Sequence, residues 1–174
     1  MKENTCCFSG HRSIPGDETE NIESAVDGLI SRLLSLGITD FCTGGAKGFD
    51  TLAAERVLKF KKTDDSIRLL LFLPCKEQAD KWDSLSKKKY KNILSLADEV
   101  TYACEHYTSY CMSKRNRMLV DRSSVCVAYL KRQNGGTAYT ADYAKKQGLE
   151  IINIAEDRAD KPRVRTKQLE FGNM

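Results

Sequence analysis

Two glycine-bearing segments carry the residues of this chain that are best suited to binding an anion. The first is Thr43-Gly44-Gly45-Ala46-Lys47-Gly48-Phe49-Asp50, and the second is Asn134-Gly135-Gly136-Thr137. Each follows an apolar run of strand character and precedes a segment with helical periodicity. A turn of this kind presents the unpaired N–H groups of a helix N-terminus, and glycine leaves room for an anion to approach them. The two segments therefore predict a phosphate site in one shared crevice.

The first of these turns favours ligand binding over a turn that merely needs a positive φ, because a lone turn rarely needs so many glycines. Its predicted ligand contacts are Thr43, Gly44, Gly45, Gly48 and Asp50. The spacing is neither that of a Walker motif, which ends in Gly-Lys-Ser/Thr, nor the G-x-G-x-x-G of a dinucleotide fold. Ordinary nucleoside triphosphate hydrolysis is therefore not expected. In the second turn, the predicted contacts are Gly135, Gly136 and Thr137.

A basic pair follows the first predicted strand, in the segment Ser9-Gly10-His11-Arg12. Open α/β sheets bind ligands at the carboxyl ends of their strands, so Ser9, Gly10 and Arg12 are predicted to contact the ligand. Arg12 suits a phosphate, although a surface loop arginine is the alternative. His11 is more typical of a hydrogen-bonded structural histidine than of a catalyst.

Helical geometry, at about 100° per residue, separates two arginines of the segment from Met112 to Arg122. Arg115 falls on the apolar side, whereas Arg117 falls on the polar face and is expected to pair with Asp121 four residues later. A desolvated arginine needs an anionic partner. A ligand phosphate and a buried carboxylate would both satisfy Arg115.

The segment after Pro74 supplies two further candidates, Gln78 and Trp82, which are four residues apart in a predicted helix and so are expected to face the crevice mouth. Trp82 either stacks on a base or packs its helix against the sheet. The lysine-rich run 87–91 is either a track for a single nucleic acid strand or a solvated face, and a charge run is usually the latter.

Taken together, these segments resemble the YpsA-like proteins of the SLOG superfamily. That superfamily unites the Rossmann domain of DNA-processing protein A with the lonely-guy phosphoribohydrolases. The resemblance runs from about Thr5 to Ile154, and the segments that carry it are Ser9–Arg12, Gly44–Glu55, Pro74 with Gln78 and Trp82, Arg115–Arg117 and Gly135–Thr137. It implies a Rossmann-like fold and a nucleotide-type ligand, which includes nucleotides and ADP-ribose-like small molecules. In such a ligand, Arg12 and Arg115 are expected to hold phosphate, and Asp50 is expected to lie near the ribose.

The resemblance implies three functions, of which a nucleotide-binding sensor or regulatory module is preferred. The second is N-glycosidic hydrolysis of a nucleotide, as in lonely-guy enzymes, which use a helical arginine and a glutamate after a Pro-Gly-Gly-x-Gly-Thr turn. Arg115 matches the arginine, but Asn134 replaces the proline and Asp142 the glutamate. Arg115 and Asp142 are thus the catalytic candidates, with an exposed helix residue as the alternative reading of Asp142. The third function is single-stranded DNA binding, which a modest positive charge supports only weakly.

The elements that must position these residues follow from alternating β-rich and helix-period segments. This alternation predicts an α/β, Rossmann-like three-layer fold, with helices on both faces of a mostly parallel sheet of about six strands. The predicted strands are Thr5–Ser9, Asp40–Thr43, Ile67–Leu73, Glu99–Tyr102, Ser124–Tyr129 and Glu150–Ile154. The predicted helices are Glu18–Leu36, Thr51–Lys61 with Asp50 as its N-cap, about Glu77–Leu96, Met112–Arg122 and Ala138–Gln147. Residues 1–156 are expected to form one domain, followed by a charged arm or tail over residues 157–174.

Composition narrows the setting of this domain. The 174 residues include 28 basic and 24 acidic side chains, so the net charge of +4 describes a mixed surface rather than a strongly cationic one. The seven cysteines form no Cys-x-x-Cys pair, which indicates a protein of a reducing compartment, the cell interior. No stretch approaches the roughly 18 apolar residues of a membrane span. We therefore expect a cytoplasmic protein without membrane contact, structural metal or required cofactor. A homodimer remains open.

Overall fold

The computed structural model describes residues 2–156, so the predicted tail at 157–174 lies outside the described residues. Within the described range there are six strands and five α-helices. The strands are β1 (Thr5–Gly10), β2 (Asp40–Thr43), β3 (Arg68–Leu73), β4 (Glu99–Tyr102), β5 (Val125–Tyr129) and β6 (Glu150–Asn153). The helices are α1 (Thr19–Ser35), α2 (Phe49–Lys61), α3 (Ser84–Leu96), α4 (Cys111–Asp121) and α5 (Gly136–Lys146).

The six strands form one sheet in the order β4-β3-β2-β1-β5-β6, and every neighbouring pair is parallel. The chain first builds outward from β1 to β4, then crosses back to place β5 on the other side of β1. The strand order therefore reverses between β1 and β5, where open α/β sheets have their ligand crevice at the carboxyl ends of the strands. This arrangement confirms the predicted Rossmann-like fold.

Helices cover both faces of the sheet, because its strands are apolar on both sides. All five residues of β5 are buried, as are all four of β2. One core joins the sheet to α1, α2 and α3, and a second joins it to α4 and α5. Among residues 2–156, no helix has both the length and the apolar character needed to cross a bilayer.

Helix α2 begins two residues earlier than predicted, and its N-cap is Gly48 rather than Asp50. Gly48 has a φ of 76°, in the region that favours glycine, and a side chain there would overlap the backbone of Arg12. Asp50 is the second residue of the helix. Its carboxylate reaches back to accept a hydrogen bond from the Ala46 N–H at 3.2 Å. The predicted cap was therefore wrong, although the carboxylate does bind a backbone N–H of the turn.

The predicted third helix is two separate elements. A short 3-10 turn spans Lys76–Ala79, and α3 begins only after Asp83, whose side chain accepts a hydrogen bond from the Ser86 N–H at 2.9 Å. This side-chain cap fixes the start of the helix. Gln78 and Trp82 consequently do not share a helix face, and the predicted four-residue spacing does not bring them together.

Candidate functional site

A cavity of about 420 Å³ lies at the carboxyl ends of β1 and β5. Its walls come from the loop after β1, the turn between β2 and α2, helix α4, and the turn between β5 and α5. The residues that line it are Ser9, Gly10, His11, Arg12, Ala46, Asp50, Met112, Arg115, Asn116, Leu119, Arg132, Asn134, Gly135, Gly136 and Thr137. The cavity therefore coincides with the reversal in strand order.

The predicted ligand contacts divide into two groups by position. Those that line the cavity are Ser9, Gly10, Arg12, Asp50, Arg115, Gly135, Gly136 and Thr137. Those outside its lining are Thr43, Gly44, Gly45, Gly48, Gln78 and Trp82, and the catalytic candidate Asp142 also lies outside it. Both glycine turns thus reach one cavity, but most of the first turn does not face it.

The glycines of the first turn make room for protein atoms rather than for a ligand. A Cβ at Gly44 would overlap the guanidinium of Arg115. A Cβ at Gly45 would lie 2.6 Å from Cδ2 of Leu73, and Gly48 packs against the backbone after β1. Because these spaces are filled from within the chain, the turn supports the cavity wall instead of opening it.

The second turn is open by comparison. Gly135 has a φ of 86°, and apart from its own chain neighbours no heavy atom of residues 2–156 lies within 4 Å of the position that its Cβ would take. At Gly136 the nearby described atom from outside its helix is Nδ2 of Asn116, at 3.9 Å. Gly135 is the N-cap of α5 without a side-chain cap bond, and the first helical bond runs from the Tyr139 N–H to its carbonyl oxygen. The N–H groups that precede this bond are available to an anion in the cavity.

Arg115 is the buried cation of this site, with 6% of its surface exposed. Its Nε donates to Oδ1 of Asn116 at 2.7 Å, Nη1 donates to the Gly44 carbonyl oxygen, and Nη2 contacts Sδ of Met112 at 3.8 Å. Within residues 2–156 no carboxylate oxygen lies within the 4.0 Å of a salt bridge to it. Burial lowers the pKa of Arg115, and the charge of Asp50 opposes that shift.

Asp50 is the acidic counterpart of Arg115 and is 5% exposed. Burial raises the pKa of its carboxyl, while the charge of Arg115 and the hydrogen bond from the Ala46 N–H oppose the rise. Among the described residues that line the cavity, Asp50 is the sole carboxylate, against three arginines. The site therefore suits an anion that also carries a hydrogen-bond donor.

His11 lines the cavity but is held by the chain itself. Its Nε2 accepts a hydrogen bond from the Lys131 backbone N–H at 2.8 Å, and its ring meets that of Tyr129 edge to face at 5.8 Å. Burial lowers the pKa of His11, with further contributions from Arg132 and Lys131. The neutral imidazole therefore carries its proton on Nδ1 and fastens the loop after β5 to the loop after β1.

Four polar or sulfur-bearing residues of the lining were not predicted as ligand contacts: Met112, Asn116, Arg132 and Asn134. Asn116 and Asn134 lie within the predicted segments. Arg132 follows β5 closely, much as Arg12 follows β1, so its position relative to a strand end was a usable signal. Asn116 is oriented by Arg115, because its Oδ1 accepts from Nε and its Nδ2 is left to face Gly136. Such a side-chain contact has no signature in the sequence.

Three predicted positions lie elsewhere. Trp82 packs its ring edge against Tyr90 at 5.3 Å and joins the core, in keeping with the packing alternative. Gln78 lies behind the cavity wall, where its Nε2 donates to the Gly44 carbonyl oxygen at 3.3 Å. Asp142 is exposed on α5, outside the cavity lining.

Arg117 does not make the predicted pair with Asp121. Its Nε donates to the Tyr139 hydroxyl at 2.7 Å, while Asp121 accepts from the Tyr143 hydroxyl at 2.9 Å. The Arg117 guanidinium also lies about 6 Å from the ring centres of both tyrosines. It therefore links α4 to α5 at the surface, outside the cavity lining.

The segment from Cys104 to Cys111, which contains His106, and the lysine-rich run 87–91 add no chemistry to the cavity. His106 bonds Oε1 of Glu77 at 2.9 Å, and Cys104 contacts Thr108, so neither joins a ligand cluster. In the part of the chain that the structure describes, no group of three or more His, Cys, Asp or Glu is arranged for a metal ion. Tyr90, the aromatic residue of the run 87–91, is buried at 8% exposure. That ring cannot stack on a nucleic acid base.

Comparison with known proteins extends over most of the chain. The YpsA family model, described as the YspA SLOG family, matches residues 11–155. A UPF0398 protein of Halalkalibacterium halodurans is 33% identical over 129 residues, which are 72% of this chain and 68% of that protein. The residues matched by the family model include every residue of the cavity lining from His11 to Thr137.

Two solved structures resemble the fold at low sequence identity. DNA processing protein A of Streptococcus pneumoniae matches 86% of this chain with a TM-score of 0.63 and 18% identity. The Helicobacter pylori protein of the same name matches 84% with a TM-score of 0.63 and 16% identity. The chain spans 52% and 63% of these proteins, respectively. Similarity at this level supports the fold alone.

Proposed function

Since this chain belongs to the YpsA family of SLOG proteins, we propose that its cavity binds a nucleotide or a nucleotide derivative through a phosphate group. The ligand class includes nucleoside monophosphates, nucleoside diphosphates and ADP-ribose-like molecules. Binding such a ligand without turnover makes the protein a sensor or regulatory module. A cytoplasmic setting fits cysteines that pack as small hydrophobic residues, six of which are buried.

The observation that carries this proposal is that Arg115 is buried with no carboxylate of residues 2–156 within salt-bridge distance. Burying a guanidinium without a directly bonded anion is costly, and its contacts here go to a carbonyl, an amide and a thioether, while Asp50 acts on it only through its charge. A phosphate in the cavity would place a negative charge in direct contact with the guanidinium. Arginine is well suited to this partner because its N–H groups match phosphate oxygens in pairs.

The rest of the cavity supports the same ligand. Arg12 and Arg132 add positive charge at the mouth, and the α5 N-terminus adds backbone donors beside Gly136. A helix N-terminus favours anions through its dipole and its free N–H groups. The phosphate is therefore expected between Arg115 and the start of α5.

The test is thermal unfolding with AMP, ADP, ADP-ribose and inorganic phosphate, because a ligand that binds only the folded state raises the melting temperature. Wild type is compared with Arg115→Met, which keeps an unbranched side chain but removes the charge. Arg117→Met is the matched control, since Arg117 lies on the same helix and contacts tyrosines outside the cavity. We expect shifts in wild type and Arg117→Met that are lost in Arg115→Met. If no nucleotide shifts wild type, the proposal is wrong.

Single-stranded DNA is a second candidate ligand, favoured by the fold similarity to the H. pylori protein, whose structure is described in terms of its single-stranded DNA binding mode. Fluorescence anisotropy of an oligothymidylate across a salt series tests it. Binding through phosphate contacts weakens steeply with salt, with a slope of about −0.7 per neutralised phosphate on a log–log plot. Weak binding that does not depend on salt would rule this candidate out.

A further inference from the structure

We infer that the cavity recognises the ribose phosphate portion of its ligand and is largely indifferent to the base. This inference rests on the proposed function and specifies which part of a nucleotide the site reads. It is carried by one buried carboxylate and by the chemical character of the surrounding wall.

Asp50 supplies the recognition of the sugar. An ionised carboxylate only accepts hydrogen bonds. Oδ2 of Asp50 accepts from the Ala46 N–H at 3.2 Å, and the Gly44 backbone also stabilises the carboxylate. Two carboxylate oxygens have room for further donors. Asp50 is 5% exposed and is one of the residues that line the cavity. A ligand hydroxyl is a neutral donor that can reach this carboxylate without bringing a second negative charge. The vicinal hydroxyls of ribose have this chemistry.

Arg115 and Asp50 together require a ligand with both an anion and a hydroxyl donor. Each is more than nine-tenths buried, and each lacks a salt-bridge partner among residues 2–156. Inorganic phosphate can satisfy only the arginine. Its negative charge would also lie close to the Asp50 carboxylate and be repelled by it. A ribose phosphate separates the two functions by several bonds and can satisfy both side chains.

The wall offers little for a base. None of the described residues that line the cavity is Phe, Tyr or Trp. The imidazole of His11 is the sole ring there, and its Nε2 already accepts from the Lys131 N–H. Trp82 packs against Tyr90 outside the lining. Aromatic side chains are the usual platforms on which proteins stack a base. Without such a platform, the base is expected to add little affinity.

Isothermal titration of the full chain with AMP, CMP, ribose 5-phosphate, 2′-deoxy-AMP and 3′-deoxy-AMP tests the inference. We expect AMP, CMP and ribose 5-phosphate to bind within about tenfold of one another. At least one deoxy analogue should bind about ten- to a hundredfold more weakly, the loss expected when a hydrogen bond to a buried charged group is not made. This comparison uses wild type, so it does not depend on the folding of a variant.

The variant Asp50→Asn keeps the shape of the side chain and removes its charge. It should weaken AMP about tenfold or more while changing the weaker deoxy analogue little, so that the discrimination is lost. Asp142→Asn is the matched control, because Asp142 is an exposed carboxylate on α5 outside the cavity. That control should retain the full preference for ribose.

Three results would overturn the inference. Equal affinity for AMP and both deoxy analogues removes the role of Asp50, and binding of AMP without binding of ribose 5-phosphate makes the base dominant. An affinity difference of more than a hundredfold between AMP and CMP would likewise show that the base dominates binding. Each of these outcomes leaves nucleotide binding intact, whereas failure of every compound to bind refutes the proposed function as well.

Discussion

Arg115 occupies the space that a side chain at residue 44 would need. A Cβ built on Gly44 overlaps the arginine guanidinium, and Nη1 of Arg115 donates to the Gly44 carbonyl oxygen. The glycine turn and the α4 arginine are therefore one structural unit. The absence of a side chain at residue 44 lets the buried cation sit against the backbone while it faces the cavity.

Gly44→Ala is consequently expected to destabilise the fold and weaken the ligand together. Overpacking of a buried site costs about 1–3 kcal/mol, and the displaced guanidinium loses its position in the cavity. We expect a lower free energy of unfolding in urea and at least about tenfold weaker AMP binding. Equilibrium unfolding and isothermal titration of the same preparations measure both effects.

Gly28→Ala is the control for this substitution. Gly28 lies on the exposed side of α1, and beyond the helix's own backbone and its chain neighbours no heavy atom of residues 2–156 is within 4 Å of its Cβ position. Alanine inside a helix is more favourable than glycine by about 0.5–1 kcal/mol, so the control should be more stable than wild type and bind AMP equally well. A Gly44→Ala variant that behaves like Gly28→Ala would contradict the packing of Arg115 against the turn.

The His11–Lys131 hydrogen bond predicts a local effect on the loop that carries Arg132. In His11→Ala the Lys131 backbone N–H loses its acceptor, so its hydrogen exchange should accelerate by about five- to tenfold, the equivalent of one hydrogen bond. Amide exchange followed by NMR measures it. His106→Ala serves as the control because His106 is exposed and bonds Glu77. Unchanged exchange at Lys131 would show that the loop is held by other contacts.

The same bond should depend on pH. The pKa of His11 is lowered from its ordinary value of 6.5, so the fold favours the neutral ring. The contribution of His11 to stability is complete above about pH 6.5 and is lost as the pH falls through the lowered pKa. Protonation of Nε2 then removes the acceptor for Lys131. Exchange at the Lys131 amide should therefore accelerate on acidification more than exchange in the core strands, and a parallel response of both would contradict this role.

The strands were predictable to within a residue because each is a short run of β-branched, aromatic or other apolar residues between polar turns, although β4 and β6 are only partly apolar. The start of α3 was harder, since residues 77–96 have no strong breaker and the Asp83 cap was not recognised in the sequence. At α2, aspartate is the usual N-cap, but the close packing of Gly48 against the backbone after β1 moved the cap upstream.

The cavity was predictable where a residue follows a strand end, as with Arg12 and Asp50, because parallel strands bring their carboxyl ends to one edge. Whether a glycine makes room for a ligand or for the chain was not predictable. Gly44 and Gly135 stand in similar turns, yet one position is filled by Arg115 and the other is open. That difference depends on side chains far away in sequence, which a pattern of glycines does not encode.

Asp142 bears on the hydrolase alternative. The residue is exposed and outside the cavity lining, so Asp142→Asn should change neither nucleotide affinity nor any release of free base from AMP. Chromatography of AMP incubated with wild type and with the variant measures the second quantity. Base release by wild type that falls at least about a hundredfold in Asp142→Asn would establish catalysis through this residue and contradict its placement away from the ligand.

Asp50 links ligand binding to stability through its charge. Burial raises the pKa of its carboxyl above the ordinary 3.8, so the folded state favours the neutral acid. The stability that this group contributes is present below pH 3.8 and is lost as the pH rises through the raised pKa. Asparagine at this position is neutral at every pH. Without ligand, Asp50→Asn should therefore match wild type near pH 4 and melt at a higher temperature near neutral pH.

The comparison separates two opposed forces at this carboxylate. If burial dominates, the difference in melting temperature between Asp50→Asn and wild type grows with pH, while AMP stabilises wild type more than the variant. If attraction to Arg115 dominates, the variant is less stable than wild type at neutral pH, because the buried arginine then has no opposite charge nearby. Melting curves of both proteins from about pH 4 to 8, with and without AMP, distinguish these results. The first outcome is expected. Burial makes the ionised Asp50 carboxylate unfavourable in the ligand-free fold, and a ligand hydroxyl that donates to it offsets this cost.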